Sequence, residues 1–312
     1  MTLLVPPRRW FVLLGLTASL LACEASKTLR LLPGSDGPDS RAPEASAGSP
    51  AVSASGGDDA EPDAAAEPLA TGGSAGTAAI SGSARETAST PLIGGLLHRY
   101  SFSGTGTTVT DSVGTAHGTV HGGGELDGSG SLTLDGVDDW VSLPLTGLFQ
   151  SVSSITFVTW FTWHSGVSWE RVFDFGATKE GLEQPGTSDG HFMFTPQYEG
   201  GPGTSANIQI GNDIRAAADG AAPFPTEQAV QIAVVFDGTN EMLETFIDGT
   251  SQAWKYVSFS LSELRDDHCW LGQSQWAHDA WMHGTYNEFR IYGAALTAAD
   301  VRTLGEAGPD RP

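Results

Sequence analysis

Ile155-Thr156-Phe157-Val158-Thr159-Trp160-Phe161-Thr162-Trp163 and Val230-Gln231-Ile232-Ala233-Val234-Val235-Phe236-Asp237 decide the fold. In an extended chain successive side chains point to opposite faces. Ile155, Phe157, Phe161 and Trp163 therefore share one face of a strand, and Val230, Ile232, Val234 and Phe236 share one face of another. Such faces are expected to meet in a core. Asp237-Gly238-Thr239-Asn240 supplies the turn of a long hairpin, whose return strand places Leu243 and Ile247 on one side and Phe246 on the other.

The same texture extends outward from these two runs, as short apolar stretches parted by Gly, Asp, Asn and Ser turn signals at the spacing of a sandwich. It predicts further strands over Leu96–Phe102, Gly130–Asp135, Trp140–Leu143, Arg171–Phe175, His191–Thr195, Asn207–Ile210, Leu243–Asp248, Cys269–Gly272 and Gly284–Tyr292. Near the end, Thr297-Ala298-Ala299-Asp300 reads as a capping box, with Leu296 and Val301 as the hydrophobic staple of one short helix. The expected class is all-β, a two-sheet antiparallel jelly-roll sandwich with that terminal helix as its only α element. No repeat of 20 to 50 residues appears, which disfavours a propeller or solenoid.

The first 90 residues have a different composition. Arg8 and Arg9 precede an apolar run from Trp10 to Leu21, which is too short to span a bilayer and reads as a signal peptide over residues 1–22. The run ends in Leu20-Leu21-Ala22-Cys23, which resembles a bacterial lipobox and implies that Cys23 is lipidated. Residues 23–90 carry no aromatic side chain and are dominated by Ala, Gly, Ser, Pro, Asp and Glu, so they cannot bury enough apolar surface to offset chain entropy. They are expected to be a tether spanning on the order of 40 to 50 Å, which holds a single domain over residues 91–312 clear of the membrane. The expected location is the cell envelope, at the outer membrane or cell surface, with the lipid anchor as the only membrane attachment. With Cys23 lipidated, Cys269 has no partner in the chain and is expected to be buried beside Trp270. Fifteen Lys and Arg against 37 Asp and Glu give a formal charge of −22. That balance excludes a nucleic-acid partner, which would need clustered basic side chains.

Several blocks are similar to laminin-G-like jelly-roll domains of the concanavalin A-like lectin/glucanase superfamily. They are His98-Arg99-Tyr100-Ser101-Phe102 with Val109-Thr110-Asp111-Ser112, Asp135-Gly136-Val137-Asp138-Asp139-Trp140-Val141, Trp169-Glu170-Arg171-Val172-Phe173-Asp174-Phe175-Gly176, and Trp270-Leu271-Gly272 with Asn287-Glu288-Phe289-Arg290-Ile291-Tyr292. The resemblance covers about Leu96 to Val301 in the family's block order. It implies a structural calcium site with Asp111 from the loop after the first strand and Asn287 where the family usually has Asp. The alternative for this pair is an ordinary turn residue and edge residue hydrogen-bonded to backbone.

The superfamily also contains glycoside hydrolases, which need two positioned carboxylates. The single-strand Glu-x-Asp-x-x-Glu run is missing, because Glu125-Leu126-Asp127 continues as Gly128-Ser129-Gly130. There is no nucleophile elbow, phosphate loop or His-Glu-x-x-His pair, and His268 and Cys269, adjacent on a strand, point to opposite faces. Trp163, Trp169 and Trp281 recur in the family blocks and are expected to pack. Tyr198, Trp254 and Trp276 lie in less patterned stretches and are the candidate ligand-binding aromatics. The expectation is a monomeric, non-enzymatic surface module that binds a glycan or an envelope or matrix protein. The alternatives are a polysaccharide hydrolase using scattered carboxylates such as Asp174, Glu183 or Glu199, and a purely structural envelope lipoprotein.

Overall fold

Pairing of the alternating runs produces two sheets stacked face to face. The computed structural model describes residues 94–181 and 185–310; Cys23, the signal segment, the tether and Glu183 lie outside those residues. The elements are β1 (Leu96–Tyr100), β2 (Thr108–Val109), β3 (Gly118–His121), β4 (Glu125–Leu126), β5 (Leu132–Asp135), β6 (Trp140–Leu143), α1 (Leu148–Ser151), β7 (Ile155–Trp163), β8 (Phe173–Thr178), β9 (Ser188–Thr195), β10 (Gly203–Ile210), β11 (Asp213–Pro223), β12 (Ala229–Asp237), β13 (Met242–Ile247), β14 (Thr250–Tyr256), β15 (His268–Leu271), β16 (His283–Tyr292) and α2 (Ala298–Ala307).

Sheet A runs β14-β13-β12-β7-β16-β5-β4, and the far half of β16 pairs with β1 where β5 has ended. Sheet B runs β11-β10-β9-β8-β15-β6-β3-β2. Every strand pairing is antiparallel, as expected of a jelly-roll sandwich. The two runs that announced the fold are hydrogen-bonded neighbours at the centre of sheet A, with Val234 opposite Phe157.

Both predicted faces point into one core. Phe157 and Phe289 of sheet A meet Phe173, Phe175 and Phe192 of sheet B, with Phe157 ring centroids 4.4, 5.2 and 5.4 Å from those three. Tilted and edge contacts of this kind add to the burial of apolar area. The hairpin divides as its alternation requires. Leu243 and Ile247 pack toward this core, while Phe246 joins Val158, Trp160, Ala233 and Val235 on the other side of sheet A.

That outer side is closed by α2. Thr297 accepts from Asp300 N while Asp300 accepts from Thr297 N, and Leu296, Val301 and Leu304 pack on the sheet. Cys269 is buried with its thiol toward the Asp266 carbonyl, and burial raises its pKa well above the ordinary value.

The structure adds elements that local sequence did not announce. A one-turn helix, α1, precedes β7, so α2 is not the only α element. β11 reads Asp-Ile-Arg-Ala-Ala-Ala-Asp-Gly-Ala-Ala-Pro, a composition poor in strand formers. It is nonetheless a strand because β10 offers it a ladder and its small side chains, Ala216 and Ala218, fit under the core. The expected Arg171–Phe175 strand begins instead at Phe173, because Arg171 is drawn into a polar cluster.

Candidate functional site

Among the described residues, no helix lies over the outward side of sheet B. Strand register lays residues far apart in the chain along that side in rows. One row reads Ala217, Asn207, Met193, Asp174, Trp270, Ser142 and Thr119, with each residue paired to the next across adjacent strands. A second row reads Gln209, His191, Gly176 and His268. The intervening residues of these strands, such as Phe173, Phe192, Ala206 and Ile208, face the core.

A wall rises from this floor where β15 ends. Gly272, at φ +83, turns the chain outward, and a Cβ there would stand 2.3 Å from Leu134. The segment 273–279 then crosses the sheet and returns, with Met282 N donating to Gly272 O. Gln275 locks it down: its side-chain Oε1 meets His268 Nδ1 at 3.1 Å, and its backbone N donates to Asp174 Oδ2 at 3.0 Å. A bridge to Gly186 and the Ser274 hydroxyl, which accepts from Trp276 N, hold Trp276 at the edge of the wall.

Between this wall and β11 lies a groove of about 360 Å³, lined by Trp169, Arg171, His191, Asn207, Gln209 and Trp276, with Met193, Ile214 and Asp279 completing it. Such a volume suits a small ligand. Trp169 reaches the groove through a left-handed backbone, φ +68, unusual for a bulky residue. Its N donates to Gln197 O, and the Arg171 guanidinium lies 5.2 Å from its ring centroid. A larger hollow of about 590 Å³, bordered by Gly106 and Gly122, Gly123 and Gly124, has no indole in its lining.

The charges behind the groove are paired. Arg171 bonds Asp174 at 3.3 Å and Asp279 at 2.5 Å, and the Ser274 hydroxyl donates to Asp279 Oδ2 at 2.7 Å. Asp174 is fully buried and its Oδ1 has no partner among the described residues. Burial pushes its pKa up to about 7 against the pull of Arg171, and the nearby Asp279 adds to the rise. Burial, then the Arg171 charge, hold His191 down to about 3, so the groove floor presents a neutral imidazole.

The candidate aromatics separate. Trp276 lines the groove, and Tyr198 stands at its margin with its ring 6.4 Å from Trp169. Trp254 is 65% exposed on β14, the edge strand of the other sheet, and does not line the groove. Trp163 is buried and donates Nε1–H to Glu170, as a packing residue. Trp169, also expected to pack, instead borders the groove, and its positive φ carried no local sequence signal. Glu199 is exposed in the turn after β9.

Asp111 and Asn287 do not fit a calcium site. The Asp111 carboxylate accepts from the backbone N of Arg99, Val113, Gly114 and Ala116 and meets His98 Nδ1 at 2.7 Å, so hydrogen-bond donors already converge where a cation would sit. Burial opposes its charge, but these bonds, led by that from His98, bring its pKa down to about 2. Asn287 sits at a bulge of β16, where its amide Nδ2 donates to Ser131. No described contact joins the two residues. Asp135, Asp138 and Asp139 gather within 4.8 Å in the acidic turn, where Asp139 accepts from Asp135 N and Asp135 from Val137 N, as turn carboxylates do.

A family model for the concanavalin A-like lectin/glucanases superfamily matches residues 135–302, more than half of the chain. The chain belongs to this superfamily. Among solved structures, this superfamily member is similar to domain 4 of an extracellular GH43 arabinanase from Geobacillus stearothermophilus, solved with arabinotriose. The match is 22% identical, has a TM-score of 0.51 and covers 67% of this chain and 98% of that one. A Trypanosoma rangeli sialidase, solved with 2,3-difluorosialic acid, is more distant: 15% identity, TM-score 0.48, covering 68% of this chain and 33% of that one. No curated protein sequence matches. The arabinanase likeness corrects the expectation of a non-enzyme. A sandwich of this architecture forms part of a glycoside hydrolase, so the missing Glu-x-Asp-x-x-Glu run does not set this chain apart from carbohydrate-active enzymes.

Proposed function

We propose that the chain is a carbohydrate-recognition domain that takes an uncharged saccharide in the groove between Trp169 and Trp276. The observation that carries this reading is the pairing of two indoles with a polar floor of His191, Asn207 and Gln209 on the open side of sheet B. Indole faces suit the C–H faces of a sugar, and the floor's amides donate and accept, as hydroxyls require. Arg171 is already matched by two carboxylates, which disfavours an acidic sugar. The arabinotriose bound to the structurally similar domain makes arabino-oligosaccharides the first probes. Calorimetric titration of Trp276→Ala and Gln209→Ala is the test. The tryptophan variant is expected to lose tenfold or more in affinity, roughly 1.4 kcal/mol or above. Wild-type affinity in both variants would refute the assignment.

Polysaccharide hydrolysis at the same groove is the second reading. It is favoured by Asp174 and Asp279, which share Arg171 and Ser274, and by the raised pKa of Asp174, which lies in the range of a general acid. Release of reducing ends that Asp279→Asn abolishes would support it; equal release by the variant would remove it. For cellular placement we propose export through residues 1–22, lipid attachment at Cys23 and display on the tether of residues 23–90. Transfer of the protein from the membrane to the soluble fraction by Cys23→Ser is the expected result.

A further inference from the structure

The outward side of sheet B does not end at the wall. On the far side of residues 273–279 lies a second cavity of about 350 Å³, nearly the volume of the first, over β3, β6 and β15. Alternation dictates its lining. Val120, Val141, Leu143 and Leu271 face the core, so Thr119, His121, Trp140, Ser142 and Trp270 face outward.

Its indole is held in place before any ligand arrives. The His121 imidazole stacks on Trp140 with centroids 4.0 Å apart and planes 13° from parallel, and Trp270 meets Trp140 edge-on at 5.4 Å. His121 Nε2 and Ser142 Oγ share a hydrogen bond of 2.9 Å, which fixes the imidazole from its other end. Trp140 stays half-buried, Thr119 is exposed, and Asp267 adds a carboxylate at the rim. With one face of Trp140 covered by His121, the part of its indole left exposed offers an apolar contact among a hydroxyl pair, an imidazole and a carboxylate that donate and accept, at little ordering cost on binding.

We infer that this cavity is a second, independent saccharide-binding site, three to four strand spacings or about 17 Å from the first. This rests on the glycan reading of the first groove. The two are separate sites, because Gln275 fills the space between them: its side chain bonds His268 on one side and the Asp174 carbonyl on the other. A chain that occupies both must pass over Gln275, so short oligosaccharides bind the two sites independently and long ones bridge them.

The full chain is titrated calorimetrically with arabino-, xylo-, manno- and cello-oligosaccharides of three to six units. Wild type is expected to bind two copies of a trisaccharide. Trp140→Ala is expected to lose one of the two sites and leave the other's affinity unchanged, and Trp276→Ala to lose the complementary one. Thr119→Trp fills the second cavity from an exposed position without touching the core, and is expected to behave as Trp140→Ala does. A single site in wild type that Trp276→Ala abolishes, with Thr119→Trp binding as wild type, overturns the second site and leaves the first standing. A single site lost in Thr119→Trp but kept in Trp276→Ala overturns the first groove instead. No heat with any member of the panel overturns both.

Discussion

The two outward faces of the sandwich carry the same kind of buried ionic cluster with opposite balance. On sheet A, Glu288 lies between two arginines: Arg99 reaches it at 2.8 and 3.0 Å, Arg290 bonds it from beneath α2, and Asp310 N adds a fourth donor. On sheet B, Arg171 lies between two carboxylates, Asp174 and Asp279. Burial raises both acids, but at Glu288 the donors win and its pKa falls below the ordinary carboxylate value, whereas at Asp174 burial wins. Arg290 also lies 4.9 Å from the Trp160 ring centroid, within the layer that α2 covers. One architecture thus yields a face covered by a helix and a face with an open groove. A cation excess under a helix gives a permanently ionised structural knot, whereas an anion excess beside a groove leaves a carboxyl that titrates near neutrality.

The largest effects come from removing the central charge of each cluster. Arg171→Ala and Glu288→Ala are each expected to cost about 3–5 kcal/mol, because each strands a buried charge. Their pH dependence distinguishes the two faces. With Arg171 gone, Asp174 escapes by keeping its proton, so that cost is smaller at pH 5 than at pH 8; the arginines left by Glu288→Ala have no such escape, and that cost does not shrink toward pH 5. Parallel denaturant titrations at the two pH values check this, and identical pH trends would break the comparison.

Next in size is the cover itself. Leu304→Ala is expected to cost about 2–5 kcal/mol in chemical denaturation through the cavity it leaves over sheet A, while saccharide affinity on sheet B stays at the wild-type value. A lost affinity would mean that the two faces are coupled through the core.

Asp174→Asn sharpens the electrostatic half of the contrast. Asp174 holds its proton more tightly folded than unfolded, so its ionisation costs nothing at pH values below its ordinary pKa. The cost then grows as pH rises and is complete above about 7. The variant is expected to remove roughly 2 kcal/mol of the wild-type stability lost between pH 5 and 8, read as a flatter Tm profile. The smallest effect, about 1 kcal/mol, is expected for Thr297→Ala, which removes the side-chain cap of α2 without opening a cavity.

The sandwich was legible because its signals are local. The alternation that sends Ile155, Phe157, Phe161 and Trp163 to one side of their strand and the capping box at Thr297 depend on neighbours within a few residues. β11 was illegible because an alanine-rich segment becomes a strand only when a ladder is offered to it. Trp276 was singled out as a ligand aromatic and lies in the groove, but Trp169 was assigned to packing, since nothing in Trp-Glu-Arg announces a left-handed backbone. Asp111 was matched to calcium by family resemblance, and only the folded loop reveals the donors that occupy its oxygens.

Composition and alternation, then, suffice to determine that the chain from about residue 91 buries two apolar faces against each other, since each strand's inward and outward residues follow from its own order. Which outward residues become neighbours depends on strand order and register. Asn207, Met193, Asp174, Trp270 and Ser142 form one line across sheet B although they span more than a hundred positions of sequence. Hydrogen bonding between strands that are distant in the chain, together with the single segment that crosses them, builds the grooves, and that information exists only once the sheet has closed.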